Sequence, residues 1–263
     1  MKTILIAVPT NKYIEPETMK SIYDLIVPEG YTTEFQFFYG YQIDQIRNLT
    51  AEWAKNYDYM FCVDSDIILP RETLVKFLSA NKDIISGMYI QRKPGEHILE
   101  VYQDTDNGGV ENIPLWAIEG LGTIPIAACG FGCVLVKGEV FRRMEYPHFY
   151  YQSALDHRNT VSEDIYFCMK ARSLGFEVWC DTEIRCEHIG STKFNVHPSA
   201  KQIAEQVANQ DMLPEQHFSY LRKMDANPKV IYDIGASMGH RTKKAKEVWR
   251  DAEYYLFDAE PIS

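Results

Sequence analysis

The stretch YDYMFCVDSDIILP, residues 57–70, decides the fold that we expect for this chain. Its apolar run, residues 59–63, is typical of a buried strand, and Asp64 and Asp66 follow where that strand should end. Alternate residues of an extended chain share a face, so both carboxylates can point at one object. Carboxylate oxygens suit hard divalent cations, and the stretch therefore predicts a metal site at a strand end.

A second Asp-x-Asp pattern occurs at Asp104 and Asp106, and a chain this acidic is expected to contain roughly one such pattern by chance. The second copy is followed by Asn107, Gly108 and Gly109, which are typical of a turn, and no apolar strand precedes it. We therefore predict that this copy lies in a solvated loop.

The composition is that of an ordinary globular protein. The chain has 263 residues, 46% of them hydrophobic, and a formal net charge of −10. An acidic chain of this kind is not expected to bind nucleic acid or an anionic membrane through its overall field, because phosphate backbones require clustered Lys and Arg. An anionic ligand would have to be held locally, by a bound cation and a few basic side chains.

Two further features bear on the compartment. The first apolar run, residues 4–8, is too short for a signal peptide, and no stretch approaches the ~20 apolar residues of a membrane span. The six cysteines stand in apolar contexts without a C-x-x-C pair, which favours buried reduced thiols. We expect a cytoplasmic protein.

Strand-like and helix-like segments alternate through the first half of the chain, which predicts an α/β fold with a mixed, mainly parallel sheet flanked by helices. The predicted strands are 3–8, 33–39, 59–63, 83–89, 124–136 (interrupted by a turn at 129–133), 176–180 and 183–188. The predicted helices are 17–26, 42–56, 72–80, 138–144 and a helix capped by Ser162 that runs to Leu174. Residues 91–123 show no regular pattern, and long irregular stretches of this kind are often functional.

The texture changes after Gly190. Residues 193–227 are polar and predicted to form a helical linker, with helices near 199–209 and 215–224. A second unit then begins at about residue 228 with a strand, a glycine-containing turn, a basic helix and another strand. We therefore predict three parts, 1–192, 193–227 and 228–263.

A hard cation at the end of strand 59–63 is suited to the diphosphate of an activated sugar, which makes glycosyl transfer the leading hypothesis. Asp66 is the first candidate for metal ligation, and Asp64 would contact the metal or the ribose hydroxyls. His188 follows a late strand and could complete the coordination. Glu163 and Asp164 begin a helix; they are either charges favoured by the helix dipole or the base that deprotonates an acceptor hydroxyl.

Other polar residues also follow predicted strands. Pro9, Thr10 and Asn11 follow the first strand and are expected to face the nucleotide, because ligands bind beyond the carboxyl ends of strands in open α/β sheets. Arg47 and Asn48 interrupt an apolar helix face, so they either hydrogen-bond within the core or reach the site. Arg92 and Lys93 either neutralise the diphosphate or are solvated loop charges.

Taken in order, several motifs resemble the landmarks of GT-A fold, family-2-like glycosyltransferases over roughly residues 1–192. These motifs are Ala7-Val8-Pro9-Thr10, Ile46-Arg47-Asn48, Val63-Asp64-Ser65-Asp66, Gly130-Phe131-Gly132-Cys133-Val134-Leu135, Ser162-Glu163-Asp164 and Glu187-His188.

This resemblance implies a GT-A fold of the Rossmann-like, nucleotide-diphospho-sugar transferase type, with a nucleotide-diphospho-sugar donor and Mn²⁺ or Mg²⁺. It implies an inverting, hexosyltransferase-type reaction onto a carbohydrate or other hydroxyl acceptor. Asp66 and His188 would be the metal ligands, Asp64 would lie near the ribose, and Glu163 and Asp164 would lie at the acceptor. The turn at 130–133 would border the acceptor pocket, where missing side chains let substrate approach the backbone, and Trp116 could stack on a sugar ring.

The tail has a resemblance of its own. VIYDIGASMGH, residues 230–240, and YYLFDAEP, residues 254–261, resemble the opening of a FkbM-type S-adenosylmethionine-dependent methyltransferase, with Asp233, Gly235, Gly239 and Asp258 at the ligand. Only a partial Rossmann-like β-α-β segment is present, and two strands cannot bury both faces of a sheet. Bound S-adenosylmethionine is therefore not expected in this truncated segment.

Two alternatives to glycosyl transfer stay open at this point. One is a non-catalytic nucleotide- or sugar-binding module attached to a methyltransferase, which would bind ligand without turnover. The other is a nucleotidyltransferase, because similar sheets and paired carboxylates also serve nucleotide transfer.

Overall fold

The computed structural model describes residues 1–40, 42–92, 97–152, 161–190, 193–194, 230–234, 246 and 250–257. The chain divides into two compact units, Met1–His197 and Pro198–Ser263, which are described separately.

The first unit alternates strands and helices along most of its length. Its strands are β1 (Lys2–Thr10), β2 (Tyr31–Tyr39), β3 (Tyr59–Val63), β4 (Ile67–Ile68), β5 (Ile84–Met88), β6 (Val101–Asp104), β7 (Val110–Asn112), β8 (Thr123–Ile126), β9 (Ala128–Cys129), β10 (Cys133–Lys137), β11 (Val178–Arg185), β12 (Glu187–Ile189) and β13 (Lys193–Phe194). Its helices are α1 (Pro16–Tyr23), α2 (Ile43–Ala54), α3 (Thr73–Ala80), α4 (Leu115–Ile118), α5 (Gly138–Arg143) and α6 (Glu163–Ser173).

The central sheet has seven strands in the order β2-β1-β3-β10-β5-β11-β8. Strands β2, β1, β3, β5 and β11 run in one direction, whereas β10 and β8 run antiparallel to their neighbours. The predicted fold class, α/β with a mixed and mainly parallel sheet, is confirmed.

Both faces of this sheet are buried, as the period-2 pattern of β1 shows. Ile4, Ile6 and Val8 belong to one hydrophobic cluster, and Leu5 and Ala7 belong to another. Buried residues of α1 and α3 extend the first cluster, and those of α2, α5 and α6 extend the second. The sheet is therefore the middle layer of three, and its strands are apolar on both faces.

This arrangement gathers chain segments at one edge of the sheet. The five strands that share a direction all end there, which brings together the residues that follow β1, β3 and β5. Strand β10 runs the other way, so its preceding turn, Gly130–Gly132, lies at the same edge, and Asp64 N–H donates to the Gly132 carbonyl at 3.1 Å.

A small second sheet, β13-β12-β4, lies beside that edge. His188 of β12 pairs with Ile67 of β4, and Ile189 N–H donates to the Asp66 carbonyl at 2.8 Å. Backbone pairing therefore sets His188 next to Asp66, although 122 positions separate them (188 − 66).

Some predicted elements differ from the structure. Helix α1 ends at Tyr23 instead of continuing to residue 26, because the chain turns at Asp24 toward Pro28. The two strands predicted at 176–180 and 183–188 are one strand, β11, with a register irregularity between Cys180 and Arg185, followed by β12.

Residues 91–123 are more regular than the sequence predicts. Strands β6 and β7 form a hairpin whose turn is closed by Gly108 with φ +79°, and β9 extends it to a three-stranded sheet. The turn was expected from Asn107 and Gly108, but the strands are too short to give a clear period of two.

The second unit contains two described strands, β14 (Val230–Ile234) and β15 (Glu253–Phe257), which pair in parallel. Both strands were expected. The predicted linker helices at 199–209 and 215–224, together with Gly235, Gly239 and Asp258, lie outside the described residues, as does the side chain of Asp233. The expectation of a methyltransferase-like segment therefore stays a prediction.

All six cysteines are described, and all are buried free thiols. Burial raises the pKa of Cys62 and of Cys180 to about 12, so both are neutral thiols near pH 7 and poor nucleophiles. Among the helices of the described residues, none combines the length and the apolar character that crossing a membrane requires.

Candidate active site

A cleft of about 850 Å³ opens at the sheet edge where the parallel strands end. Its walls come from the end of β1, the β3–β4 turn, the segment after β5, the start of α6 and strand β12. This is the position expected for ligands in open α/β sheets. Most of the lining side chains are polar or charged, and carboxylates outnumber basic groups among them.

Arg47 holds three of these carboxylates together. It projects from α2 and is only 4% exposed. Its Nη2 lies 3.2 Å from Asp64 Oδ1, and its Nε lies 3.4 Å from Glu163 Oε1 and 2.9 Å from Asp164 Oδ1. Of the two roles open for Arg47, core or site, the structure therefore combines both: a buried guanidinium joins the β3 end to the start of α6.

Asp164 is placed by a helix cap and by a backbone donor. The Ser162 hydroxyl accepts the Ile165 N–H at 3.4 Å, which begins α6 as predicted, and Phe131 N–H donates to Asp164 Oδ2 at 3.0 Å. Arg47 Nε–H donates its hydrogen bond to Glu163 Oε1. The contact between Arg47 Nε and Asp164 Oδ1 is therefore an ion pair without a hydrogen bond. Asp164 Oδ1 is buried and accepts no hydrogen bond from the described part of the chain.

The protonation of Asp164 reflects this environment. Burial raises its pKa well above the usual value, Arg47 opposes that rise, and the negative charges of Glu163 and Asp64 add to it. A carboxylate whose pKa is raised is a stronger base, which suits it to accept a proton.

Asp66 and His188 form a second polar pair across the cleft. His188 Nε2 lies 3.5 Å from Asp66 Oδ1, and Arg92 Nη1 lies 2.7 Å from Asp66 Oδ2. Burial raises the pKa of Asp66, but its contact with His188 and the charge of Arg92 outweigh burial and hold that pKa below its usual value.

The hydrogen bond of His188 determines which ring nitrogen faces Asp66. Nδ1 lies 2.8 Å from the Ile90 carbonyl oxygen, which can only accept, so Nδ1 carries a proton. In the neutral ring, Nε2 then carries a lone pair that is directed toward a carboxylate oxygen of Asp66. Two such electron pairs facing each other favour a cation between them or a proton on Nε2.

This geometry fits a divalent cation in part. The donors at Asp66 and His188, a carboxylate oxygen and an imidazole nitrogen oriented by a carbonyl, are of a kind that Mn²⁺ accepts. Within the described residues, however, no three His, Cys, Asp or Glu side chains are grouped closely enough to form a complete set of ligands. Asp64 lines the same cleft but contacts Arg47.

The other predicted site residues divide between cleft and core. Pro9, Thr10 and Asn11 all line the cleft. Asn48 does not, because its side chain donates to the Asp44 and Phe149 carbonyls and accepts from the backbone N–H groups of 148 and 149. Asn48 thus fixes the backbone of residues 148 and 149, while Lys93 lies outside the described residues.

The expectation that the 130–133 turn leaves space for substrate is wrong. A Cβ at Gly130 would lie 2.2 Å from the Tyr89 hydroxyl, and one at Gly132 would lie 2.7 Å from Tyr89 Cζ. The buried Tyr89 side chain fills the space, and its hydroxyl accepts the Gly132 N–H at 2.9 Å. The glycines therefore make room for the Tyr89 side chain. The Tyr89 hydroxyl accepts a hydrogen bond from the same turn whose Phe131 N–H donates to Asp164.

Two other candidates lie away from the cleft. Asp104 of the second Asp-x-Asp pattern pairs with Arg172 on the surface, and Asp106 is exposed. As expected, this copy is solvated, although a short strand does lead into it. Trp116 lies on α4, is 64% exposed and does not line the cleft.

Among the lining residues that were not expected from the sequence are Gln91, Glu100 and Tyr102. They fall in the stretch without a regular pattern, and no spacing marks them as a group. The remaining signal was the polar alternation of Glu100 and Tyr102 before a hairpin, which is too common to be specific.

Neither a protein-family model nor a curated protein sequence matches this chain. Several solved structures resemble it weakly. One is A197 from STIV (14% identity, TM-score 0.48, 76% of this chain and 96% of that chain). Another is GalNAc-T7, solved with UDP, GalNAc and Mn²⁺ (12% identity, TM-score 0.49, 72% of this chain and 44% of that chain).

A third is a putative glucose-1-phosphate thymidylyltransferase from Bacillus anthracis, in complex with a sucrose (12% identity, TM-score 0.36, 79% of this chain and 77% of that chain). With TM-scores below 0.5, these similarities do not assign the chain to a family.

Proposed function

We propose that this chain is a metal-dependent glycosyltransferase of GT-A architecture that moves a sugar from a nucleotide-diphospho-sugar to an acceptor hydroxyl. The observation that carries the proposal is the convergence in one cleft of Asp64, Asp66 and His188 with the acids Glu163 and Asp164. These residues come from distant parts of the chain. Their common position at the ligand-binding edge of an α/β sheet supports a site rather than scattered surface charges.

The nucleotide end of the cleft is the end of β1 and of β3. Pro9, Thr10 and Asn11 would face the base and ribose. Asp64 would accept hydrogen bonds from the ribose hydroxyls or approach the cation. Mn²⁺ or Mg²⁺ would be held by Asp66 and His188, and when bound it supplies a Lewis acid for the charge on the departing diphosphate.

Arg92 would contribute at the same end. Its guanidinium already contacts Asp66, so it would sit beside the diphosphate and add a positive charge to a cleft rich in carboxylates.

The acceptor end of the cleft is the start of α6. Asp164 is the proposed base: its Oδ2, which accepts one backbone N–H, takes the proton of the acceptor hydroxyl, because Oδ1 is buried behind Arg47. The freed oxygen forms a bond to the anomeric carbon while the bond from that carbon to the diphosphate breaks. Attack opposite the leaving group inverts the anomeric centre, as in the two-carboxylate logic of inverting glycosidases. Glu163 is the alternative base.

Activity and binding can be tested on the purified full chain. UDP-, GDP- and dTDP-sugars are screened by thermal shift with and without Mn²⁺, and nucleotide release is then measured with simple sugar acceptors. We expect at least one donor to stabilise the protein in a Mn²⁺-dependent way and to be turned over. A folded protein that neither binds nor consumes any of these donors would contradict the proposal.

The variant Asp66→Asn should abolish Mn²⁺-dependent donor binding while leaving the melting temperature nearly unchanged. Asp106→Asn is the matched control, because Asp106 belongs to the exposed second Asp-x-Asp pattern and should retain full activity. Release of pyrophosphate from a nucleoside triphosphate would indicate nucleotidyl transfer instead, and donor binding without turnover would indicate a binding module.

A further inference from the structure

Glu100 is a carboxyl group in the cleft to which the proposed reaction assigns no role. It is partly buried and lines the cleft, and among the described residues the nearby cationic group that acts on it is His188, which lies beside Asp66. Its Oε2 accepts the Tyr102 hydroxyl at 2.5 Å, and Gln91 is a further hydrogen-bonding neighbour. A partly buried carboxyl that forms no direct ion pair costs free energy to keep, and such a group in a cleft is a candidate for a functional role.

The backbone holds this group firmly in place. Glu100 N–H donates to the Tyr89 carbonyl at 3.0 Å, and the Glu100 carbonyl accepts the Gly130 N–H at 2.9 Å. Tyr102 lies in β6, which pairs with β7 and β9 on either side. Glu100 and Tyr102 are therefore anchored to the same segments that position His188 and Asp164.

Glu100 and Tyr102 line the cleft together with residues of both of its proposed ends, Asp66 and His188 at one and Asp164 at the other. Glu100 is close enough to His188 and Asp64 to interact with both electrostatically, and Tyr102 interacts with Asp164 in the same way. In a glycosyl transfer the diphosphate would lie on the first side and the attacking hydroxyl on the second. The group between them would be the sugar that is transferred.

The chemistry of these side chains suits a sugar. A carboxylate accepts hydrogen bonds from two neighbouring hydroxyl groups, an amide both donates and accepts, and a tyrosine offers a ring face and a hydroxyl. Burial raises the pKa of Glu100, and hydroxyl groups of a ligand would favour its charged form again.

We propose that Glu100, with Tyr102 and Gln91, binds hydroxyl groups of the transferred sugar and so selects which sugar the enzyme accepts. This inference rests on the proposed glycosyl transfer, because it assigns a subsite within the same cleft.

The test compares nucleotides with and without their sugar. Dissociation constants for UDP and UDP-glucose, GDP and GDP-mannose, and dTDP and dTDP-glucose are measured calorimetrically in Mn²⁺ for wild type, Glu100→Gln and Tyr102→Phe. For the pair that wild type binds best, Glu100→Gln should weaken the sugar nucleotide about 10- to 100-fold, as for loss of a hydrogen bond to a charged group. The free nucleoside diphosphate should bind within about twofold of wild type, since base and phosphate contacts are untouched.

The control is Glu111→Gln, a glutamate of the same small sheet that is exposed and bonded to Gln103. It should alter neither constant. Tyr102→Phe should fall between Glu100→Gln and wild type, because the carboxylate remains but loses its fixed orientation. Equal weakening of both nucleotides by Glu100→Gln, or no weakening of either, would overturn the subsite, and so would reduced turnover with unchanged sugar-nucleotide affinity.

A wild-type protein that binds none of the six nucleotides refutes the proposed glycosyl transfer, and the subsite is then tested alone. Saturation-transfer NMR with free glucose, mannose and N-acetylglucosamine should show a signal in wild type that Glu100→Gln loses. Absence of that signal in wild type, or its persistence in the variant, overturns the inference.

Discussion

Replacing Arg47 with methionine would leave three carboxylates without the guanidinium that they share. Removing one partner of a buried ion pair costs about 3–5 kcal/mol, because the remaining charge stays in a poorly solvated place. Glu163 and Asp164 are nearly buried, whereas Asp64 is 28% exposed and can recover some hydration. We therefore expect Arg47→Met to lower the free energy of unfolding by about 4 kcal/mol at pH 8.

The penalty should depend on pH. Burial already raises the pKa of Asp164 in the folded chain, and loss of Arg47 raises it further. A carboxyl whose folded pKa exceeds its unfolded value, near 3.9, destabilises the fold increasingly as pH rises from that value through the folded pKa. The cost of Arg47→Met should accordingly be smaller at pH 5 than at pH 8.

Urea unfolding followed by tryptophan fluorescence measures both effects, since Trp53, Trp116 and Trp179 all lie in the first unit. Arg172→Met is the matched control: its pair with Asp104 is much more exposed and should contribute at most about 1 kcal/mol. A penalty for Arg47→Met no larger than that of the control, or equal at both pH values, would refute the reasoning.

Two further predictions concern the turn and the histidine. Gly132→Ala should destabilise the protein by about 1–3 kcal/mol, because the added Cβ meets the packed Tyr89 ring. Gly109→Ala should be nearly neutral, and thermal melts of both variants measure the difference. Burial lowers the pKa of His188, but Asp66 and the Ile90 carbonyl outweigh burial and raise that pKa overall. In EDTA, wild type should therefore be more stable than His188→Gln below pH 6.5, and this difference should be lost as pH rises through the pKa of the folded state. A difference that grows with pH would contradict the second prediction.

Local pattern was sufficient for most of the architecture. The run at 59–63 coincides with β3, and Asp64 and Asp66 follow it at the cleft, because a short apolar run bounded by polar residues specifies a buried strand without distant help. The cap at Ser162 likewise gives the start of α6.

Contacts between residues far apart in the chain could not be predicted from the sequence. Whether Arg47 or Asn48 would face the cleft depends on how α2 is rotated against α6 and the 147–149 segment, which no helical period reveals. The glycines of the 130–133 turn suggested space for a substrate, whereas their small size serves the ring of Tyr89, a residue more than 40 positions away. Glu100 was missed for the same reason: its neighbours assemble only when β6 joins the fold.

The ladder between β12 and β4 has a consequence for how this site tolerates change. Backbone pairing, not side-chain chemistry, sets the distance from Asp66 to the imidazole of His188. Neighbouring side chains can therefore be substituted without separating the two residues. Inserting or deleting one residue ahead of position 188 is a different matter: it would turn the ring to the opposite side of the ribbon. Substitution of the flanking Glu187 and Ile189 should therefore be tolerated better than substitution of His188 itself, and any change in the length of this segment should be tolerated least.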